Sequence, residues 1–390
     1  MKINLVALLG MLALVSVVRA DSANNGIVAS GVMGPYYDAS GQIETRIYWA
    51  ATNGTKNEVV VDVGQGEVVI GGGAFVGNDP AYELGSGGLL TASYPYIDDE
   101  WYDAKTGNYE PYARSWCARS NSNTGATHDL FVQVIGMKLK KNSPYGSYMG
   151  SAELLKYMRY RYEISSYTAH PSVTVASTPG FTMVSGGGCV VDFNGTTLNY
   201  LTESVGVFST GVYGLGGWRA SSKDHGVSSP SCVVAYSISL VDNNGLDMLG
   251  SGAIPAFGNF NVLIRDVTKN TVLHAAPNVI PVMNPLSVAT AANNAGAVRP
   301  NLPDYNVIQY TNVTNLPYVD TMFGKSITWS LVSVGGRSMY NSYGRMLTAL
   351  WVGDGNHNAV VRDKDQTYPD GGALYGQAVY IIKDSGEGLW

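Results

Sequence analysis

The densest run of residues able to do chemistry lies between Tyr94 and Tyr112, in the stretch YPYIDDEWYDAKTGNYEPY. It sets Tyr94, Tyr96, Trp101, Tyr102, Tyr109 and Tyr112 around Asp98, Asp99, Glu100 and Asp103. That combination suits a sugar, whose apolar C–H face stacks on a ring while its hydroxyls bond to carboxylates. The expected ligand-binding set is Tyr96, Asp98, Asp99, Trp101, Tyr102 and Tyr109. In the competing reading the same tyrosines pack the segment onto its own module or form a self-association surface. A second tyrosine-rich stretch, Tyr145 to Tyr167, alternates like a strand and reads as sheet-face packing.

Lys223-Asp224-His225 is the densest ionisable triplet, and a carboxylate beside an imidazole can orient it and raise its pKa. Neighbours in a strand point to opposite faces, however, so Asp224 and His225 converge only in a turn, and a polar turn is the favoured reading. No G-x-S-x-G elbow, H-E-x-x-H, C-x-x-C pair or P-loop occurs in the chain. Asp354, Asn356 and Asn358 alternate like the start of a calcium loop but lack its glycine and distant glutamate, and Asp98 to Glu100 reads as a solvated acidic run. The expectation is a protein with no metal site, no cofactor and no catalytic residue that a local pattern identifies.

Three cysteines permit one disulfide. Cys189 follows a glycine cluster and Cys232 opens the closing strand of the same unit, so a Cys189–Cys232 staple is expected. Cys117 is the odd thiol, able to join two chains covalently if exposed. Asn53, Asn194 and Asn312 head N-x-S/T sequons and are candidate glycosylation sites.

The elements that must position these residues begin after a segment that reads as a secretory signal. It has Lys2, an apolar run from Leu5 to Val18, and small residues at Val18 and Ala20 ahead of a cut before Asp21. Removing Lys2 and Arg19 from 24 basic residues leaves 22 against 30 acidic ones, a mature charge near −8. That balance argues against nucleic acid or an anionic membrane as a partner held by charge. With 47 Gly and 26 Tyr but only 14% charged residues, the composition is that of turn-rich β structure rather than helix.

A fixed internal register then appears. EVVIGGGAFV, LLTASYP, SWCARSNSN and DLFVQVIGMKL in the first third are echoed by FTMVSGGGCV, YLTESVG, GWRASSKDHG and CVVAYSISL, and again by WSLVSVGGRS, MLTALWV, NAVVRDKDQ and LYGQAVYII. By letters, Trp116, Trp218 and Ala359 occupy one position. The glycine clusters read as bulges or close approaches of backbone, because a strand and not a helix follows them. Further strands, RIYWAAT with EVVVDV and YRYEISSY with VTVAS, precede the first two copies, and Ser151 to Tyr160 reads as a short helix. The fold class is all-β: three divergent repeats, as tandem β-sandwich-like modules or a pseudo-threefold β-prism-like assembly.

The predicted organisation is a signal peptide over 1–20, module 1 over 21–143, module 2 over 144–241, a connecting region with additional strands over 242–326, and module 3 over 327–390. Between Leu90 and Trp116 copy one is nine residues longer than copy two, and the insertion is the aromatic, acidic stretch. The leading expectation is a secreted, extracellular, non-catalytic binding protein that recognises glycan or cell-surface material through aromatic loops. A carboxylate-dependent hydrolase, a membrane-active β-pore toxin and an adhesive extracellular protein are the alternatives. No segment after the signal is long and apolar enough for a membrane-spanning helix.

Overall fold

The computed structural model describes residues 18–20, 26–38, 40–77, 88–103, 107–122, 124–141, 144–191, 199–208, 215–225, 227–241, 260–266, 271–275, 318–324, 330–339, 346–352, 356–362 and 373–383. The chain runs through β1 (Val18–Ala20), β2 (Ile27–Tyr37), β3 (Ile43–Gly54), β4 (Lys56–Asp62), β5 (Val68–Val76), β6 (Gly88–Asp103), β7 (Asn108–Ser122) and β8 (His128–Leu139). The helix α1 (Ser151–Leu155) leads into β9 (Met158–Ile164), β10 (Ser172–Ala176), β11 (Phe181–Val191), β12 (Asn199–Phe208), β13 (Leu215–Asp224) and β14 (Cys232–Val241). β15 (Phe260–Asp266), β16 (Thr271–Ala275), β17 (Tyr318–Gly324), β18 (Ser330–Met339), β19 (Met346–Val352), β20 (Asn356–Arg362) and β21 (Ala373–Lys383) complete it. The expected all-β class is the observed one.

The helix is shorter than the sequence predicts. It stops at Leu155, and Met158 to Ile164 instead form a strand paired along β14, from Leu240↔Met158 to Val234↔Ile164. Tyr160, Tyr162 and Ile164 alternate with polar residues, and aromatic and β-branched side chains favour the pleated ladder over continued helix.

Among the described residues every ladder is antiparallel, and the 14-stranded and seven-stranded sheets they form contain three six-stranded runs. The first is β4-β7-β6-β11-β14-β9, the second β10-β13-β12-β18-β21-β15, and the third β17-β20-β19-β5-β8-β3, with β1, β16 and β2 added at edges. Among the described residues the first two runs touch in register only at Met183↔Leu215. Short ladders at the centre of each run join distant parts of the chain: Ser93↔Gly188, Ser204↔Gly336 and Leu350↔Ala74. Strands from the 242–326 region complete the second and third runs, β15 against β21 and β17 against β20.

Bulges recur. β5, β11 and β18 slip by one residue at Ile70, Val184 and Val332 against β8, β14 and β21. β6, β12 and β19 slip at Thr91, Thr202 and Thr348 against β7, β13 and β20. Beyond those slips Ala118, Ala220 and Ala359 lie opposite Ser93, Ser204 and Leu350. Trp116, Trp218 and His357 each lie two residues before these alanines.

The glycine clusters make room for neighbours, as expected of them. A Cβ on Gly72 would stand 2.3 Å from the Trp116 ring, one on Gly186 the same distance from the Trp218 ring, and one on Gly71 only 1.7 Å from the Val332 carbonyl oxygen. Trp116 and Trp218 are fully buried in one core that draws on β3 to β14 and on β18 to β21. Leu89, Tyr200 and Met346, each the residue before a Leu-Thr pair, pack on one another in a small separate core.

The cysteine expectations are corrected. In the β11–β14 ladder Cys189 faces Val234 and Cys232 faces Val191, so the two cysteines are diagonal neighbours. Diagonal positions are roughly 7 to 8 Å apart, beyond the usual Cα separation of a disulfide. All three cysteines are unbonded thiols, and Cys117 is wholly buried, so it is not an exposed handle for a covalent dimer.

Candidate functional site

The nine-residue insertion extends β6 and β7 into a hairpin arm rather than a loop, with Asp99↔Tyr112, Trp101↔Glu110, Tyr102↔Tyr109 and Asp103↔Asn108 in register. Alternation along the arm separates the predicted ligand residues. Trp101 turns inward and packs with Ile97 and Tyr112 on the main core. Tyr102 and Tyr109 lie on the other face, exposed, with ring centroids 5.4 Å apart. Asp99 is held at 2.6 Å by the Tyr112 hydroxyl and at 2.8 Å by the Glu100 amide. The Tyr112 bond, then the amide, hold its carboxyl below the ordinary range. Asp98 is exposed. The six residues therefore do not converge on one point.

The arm is also tied down. Arg159 of β9 pairs with Asp103 at 3.3 Å and Glu110 at 3.8 Å, and Arg161 donates to Glu110 at 2.7 Å. Arg159 and Asp103 are both buried, and the Arg159 guanidinium lies 4.7 Å from the centre of the Phe181 ring. Buried charges of this kind persist only when paired, so the pairing fixes the arm to the sheet.

A more continuous aromatic surface sits on the face of the first run turned away from Trp218. Gly186 admits the Trp218 ring, so its neighbour Gly187 points to the opposite face, where it lies against Tyr94. Tyr94 stacks on Tyr236 at 4.6 Å, Tyr236 lies 6.0 Å from Tyr162, and Tyr96 lies 6.3 Å from Tyr94. The row Tyr96, Tyr94, Tyr236, Tyr162 crosses from β6 over β11 to β14 and β9. Tyr94 is its buried anchor, Tyr96 and Tyr236 are half-buried, and Tyr162 is 57% exposed.

Polar groups border this row. Arg119 donates to the Tyr94 hydroxyl at 3.0 Å and pairs with Glu58 at 3.0 Å, with its guanidinium 5.8 Å from the Tyr94 ring centre. Burial pushes the Tyr94 and Tyr236 phenols upward, so both remain neutral hydrogen-bonding groups. Of the predicted set only Tyr96 belongs to this row. Tyr94 was legible as part of the aromatic stretch and Tyr162 as part of the second tyrosine-rich stretch, read there as sheet-face packing, but Tyr236 lies in another ladder and carries no local signal.

Other candidates are consumed structurally. Asp224 accepts from the Ser229 amide at 3.2 Å and meets His170 Nε2 at 2.9 Å. Two buried glutamates that sequence reasoning missed lie at one end of β3 and β5. Glu67 accepts from Tyr48 at 3.0 Å and from the Gly64 amide at 3.3 Å, with Arg46 and Lys138 nearby. Glu44 accepts from Tyr37 and Tyr148 and pairs with Arg46 at 2.9 Å. Burial raises the Glu67 carboxyl, but both of its oxygens accept hydrogen bonds from this chain's own groups.

Asn53 is exposed, and its amide donates to Asp129. Asn194, Asn312 and Asp354 lie outside the described residues, as do the signal residues other than Val18–Ala20 and the Ala/Asn-rich stretch 287–300. Among the described residues no helix is long and apolar enough to cross a membrane. Comparison with known protein families and with curated proteins returns no match.

Proposed function

We propose that this is a secreted, non-catalytic carbohydrate-binding protein, and that the Tyr96, Tyr94, Tyr236, Tyr162 row is its ligand platform. The observation that carries the reading is the row itself: rings from three strands on one face, anchored by a buried tyrosine and bordered by the Arg119–Glu58 pair. Ring surface takes the apolar face of a pyranose, and neutral phenols with a paired guanidinium and carboxylate bond its hydroxyls. Because Arg119 is matched by Glu58, the bordering charge is balanced, which favours a neutral glycan over an anionic one.

The scaffold, in this proposal, is three copies of one module closed into a pseudo-threefold β-prism. Supporting it are the matched bulges at Ile70, Val184 and Val332 and at Thr91, Thr202 and Thr348. The three central ladders use corresponding positions in each copy, each copy passing to the next and the third returning to the first. Leu89, Tyr200 and Met346 meet as corresponding residues around one axis would. Signal cleavage before Asp21 would remove β1 and leave β4 as the edge of the first run.

The test is binding of the mature protein to neutral oligosaccharides and polysaccharides, beside a Tyr96→Ala/Tyr162→Ala variant and an arm variant, Tyr102→Ala/Tyr109→Ala. Saturable binding, weakened at least tenfold in the first variant and retained in the second, is expected. Loss in the arm variant alone would move the site back to the insertion, and turnover of the bound glycan would replace this reading by the hydrolase.

A further inference from the structure

Corresponding positions on the three runs carry different side chains, and the differences are chemical. Leu90, Leu201 and Leu347 occupy one position, and four residues on stand Tyr94, Val205 and Trp351. In the third run Trp351 of β19 does not stand alone. Its ring meets Phe75 of β5 edge-on at 4.6 Å, Phe75 stacks on Phe131 of β8 at 4.4 Å, and Phe131 lies 6.4 Å from Trp49 of β3. Four rings thus cross four adjacent strands, with Trp351, Phe131 and Trp49 each partly open to solvent. A glycine again makes room, since a Cβ on Gly31 of β2 would lie 2.9 Å from the Trp49 indole.

This row too ends in polar groups. Asp129 shares its face with Phe131, two residues away, and Asn53 shares its face with Trp49, four away; the exposed Asn53 amide donates to Asp129. At the corresponding place in the second run the side chains differ. Val205 is buried, and the face is occupied by Glu203, held by Arg219 at 2.6 Å and approached by Arg337 at 3.6 Å.

We infer that Trp49, Phe131 and Trp351 form a second sugar platform of the same kind, so that one chain holds two segments of neutral, unbranched glycan on two sides of the molecule. The inference rests on the carbohydrate reading of the tyrosine row and extends it from one site to two. Among the described residues the row carries rings and an amide–carboxylate pair and no cation, which suits a neutral pyranose stacked on Trp49 and Trp351 and bonded at its edge by Asn53 and Asp129. Two platforms joined rigidly gain avidity on a polymer and cross-link separate strands, which one platform cannot do.

The experiment is calorimetric titration of the intact mature chain with cellohexaose and with chitohexaose, together with light scattering on adding hydroxyethylcellulose or glycol chitin. Two sites per chain are expected, with polymer cross-linking. Trp49→Gln/Trp351→Ala should leave one site and abolish cross-linking while the Tyr96→Ala/Tyr162→Ala protein also keeps one. Phe131→Leu, a milder change, should weaken the second site if the double variant does not fold. One site in the native chain, unchanged by Trp49→Gln, overturns the second platform and leaves the tyrosine reading standing. A single site lost on Trp49→Gln but kept in the tyrosine variant overturns bivalence and the tyrosine reading together. No binding of either hexaose or either polymer removes both.

Discussion

Gly187 and Tyr94 lie against each other across the β6–β11 junction: a Cβ on Gly187 would stand 2.4 Å from the Tyr94 Cα and 2.8 Å from its Cβ. The bare backbone of β11 is what lets Tyr94 reach over it and stack on Tyr236 of the next strand at 4.6 Å. Gly187→Ala must push β6 away from β11. The expected cost is about 1–3 kcal/mol, read as a lower denaturant midpoint, with loss of the tyrosine near-ultraviolet dichroism. An unchanged midpoint would show that the junction is looser than this contact implies.

Trp116 and Trp218 are used alike. Each indole N–H donates to a serine, Ser93 or Ser204, at 3.0 Å, and each ring lies on a glycine. Replacing either tryptophan by phenylalanine removes a buried hydrogen bond and core volume, at about 1–3 kcal/mol. Matching losses for Trp116→Phe and Trp218→Phe in thermal unfolding are expected. One severe and one neutral result would count against the proposed equivalence of the first two copies.

Removing one partner of a buried ion pair strands the other. Arg159→Met takes the guanidinium from Asp103 and leaves Glu110 to Arg161 alone, and the expected destabilisation is about 3–5 kcal/mol. Because those carboxylates sit at the tip of the hairpin arm, the variant should also become sensitive to limited proteolysis within the arm. Resistance equal to that of the native chain would mean that Trp101 and Tyr112 hold the arm without the ions.

His128 supplies a pH dependence with a defined sign. Its ring is buried beside Asn57 and Ser120, with Ser120 Oγ 2.8 Å from Nε2. Burial lowers its pKa below the ordinary value of 6.5 despite the opposing Ala126 carbonyl and Asp129 charge. The unfolded chain therefore takes up the proton first. Stability is unaffected by this group above pH 6.5 and falls as the pH drops from there toward the folded-state pKa. His128→Gln should flatten that acid limb in unfolding measured from pH 7 downward, and an unaltered limb would assign the effect to the carboxylates.

The thiols should be silent in the native protein. Burial pushes Cys117 up to about 12 and Cys189 up to about 11, and Cys232 is also buried. No labelling by a thiol reagent without denaturant, three labels in urea and an unchanged non-reducing gel are expected. Rapid native labelling, or a mass two units low from a disulfide, would contradict the buried, unbonded arrangement.

Much of the architecture was readable in advance. Alternation and β-branched content located β3, β4, β9 and β10, and the glycine clusters announced close backbone approach before any partner was known. The arm was visible as an insertion, though not as a hairpin, because its register depends on a partner strand. The helix was read too long, since Met158 to Ile164 owe their conformation to β14. The cysteine staple failed because adjacency of strands does not specify which residues face each other.

The amino-acid sequence by itself determined the β class, the segments that become strands and the places where glycine is needed, because these follow from local sterics and from burial with period two. Tertiary structure alone decided which faces those strands share. Tyr94, Tyr236 and Tyr162 are far apart in the chain, as are Trp49, Phe131 and Trp351, and only ladders such as Cys189↔Ala92 and Ala349↔Phe75 bring their faces together. A one-residue change of register would turn every one of those rings to the opposite side, and register is settled by the summed packing of all three runs rather than by any segment alone.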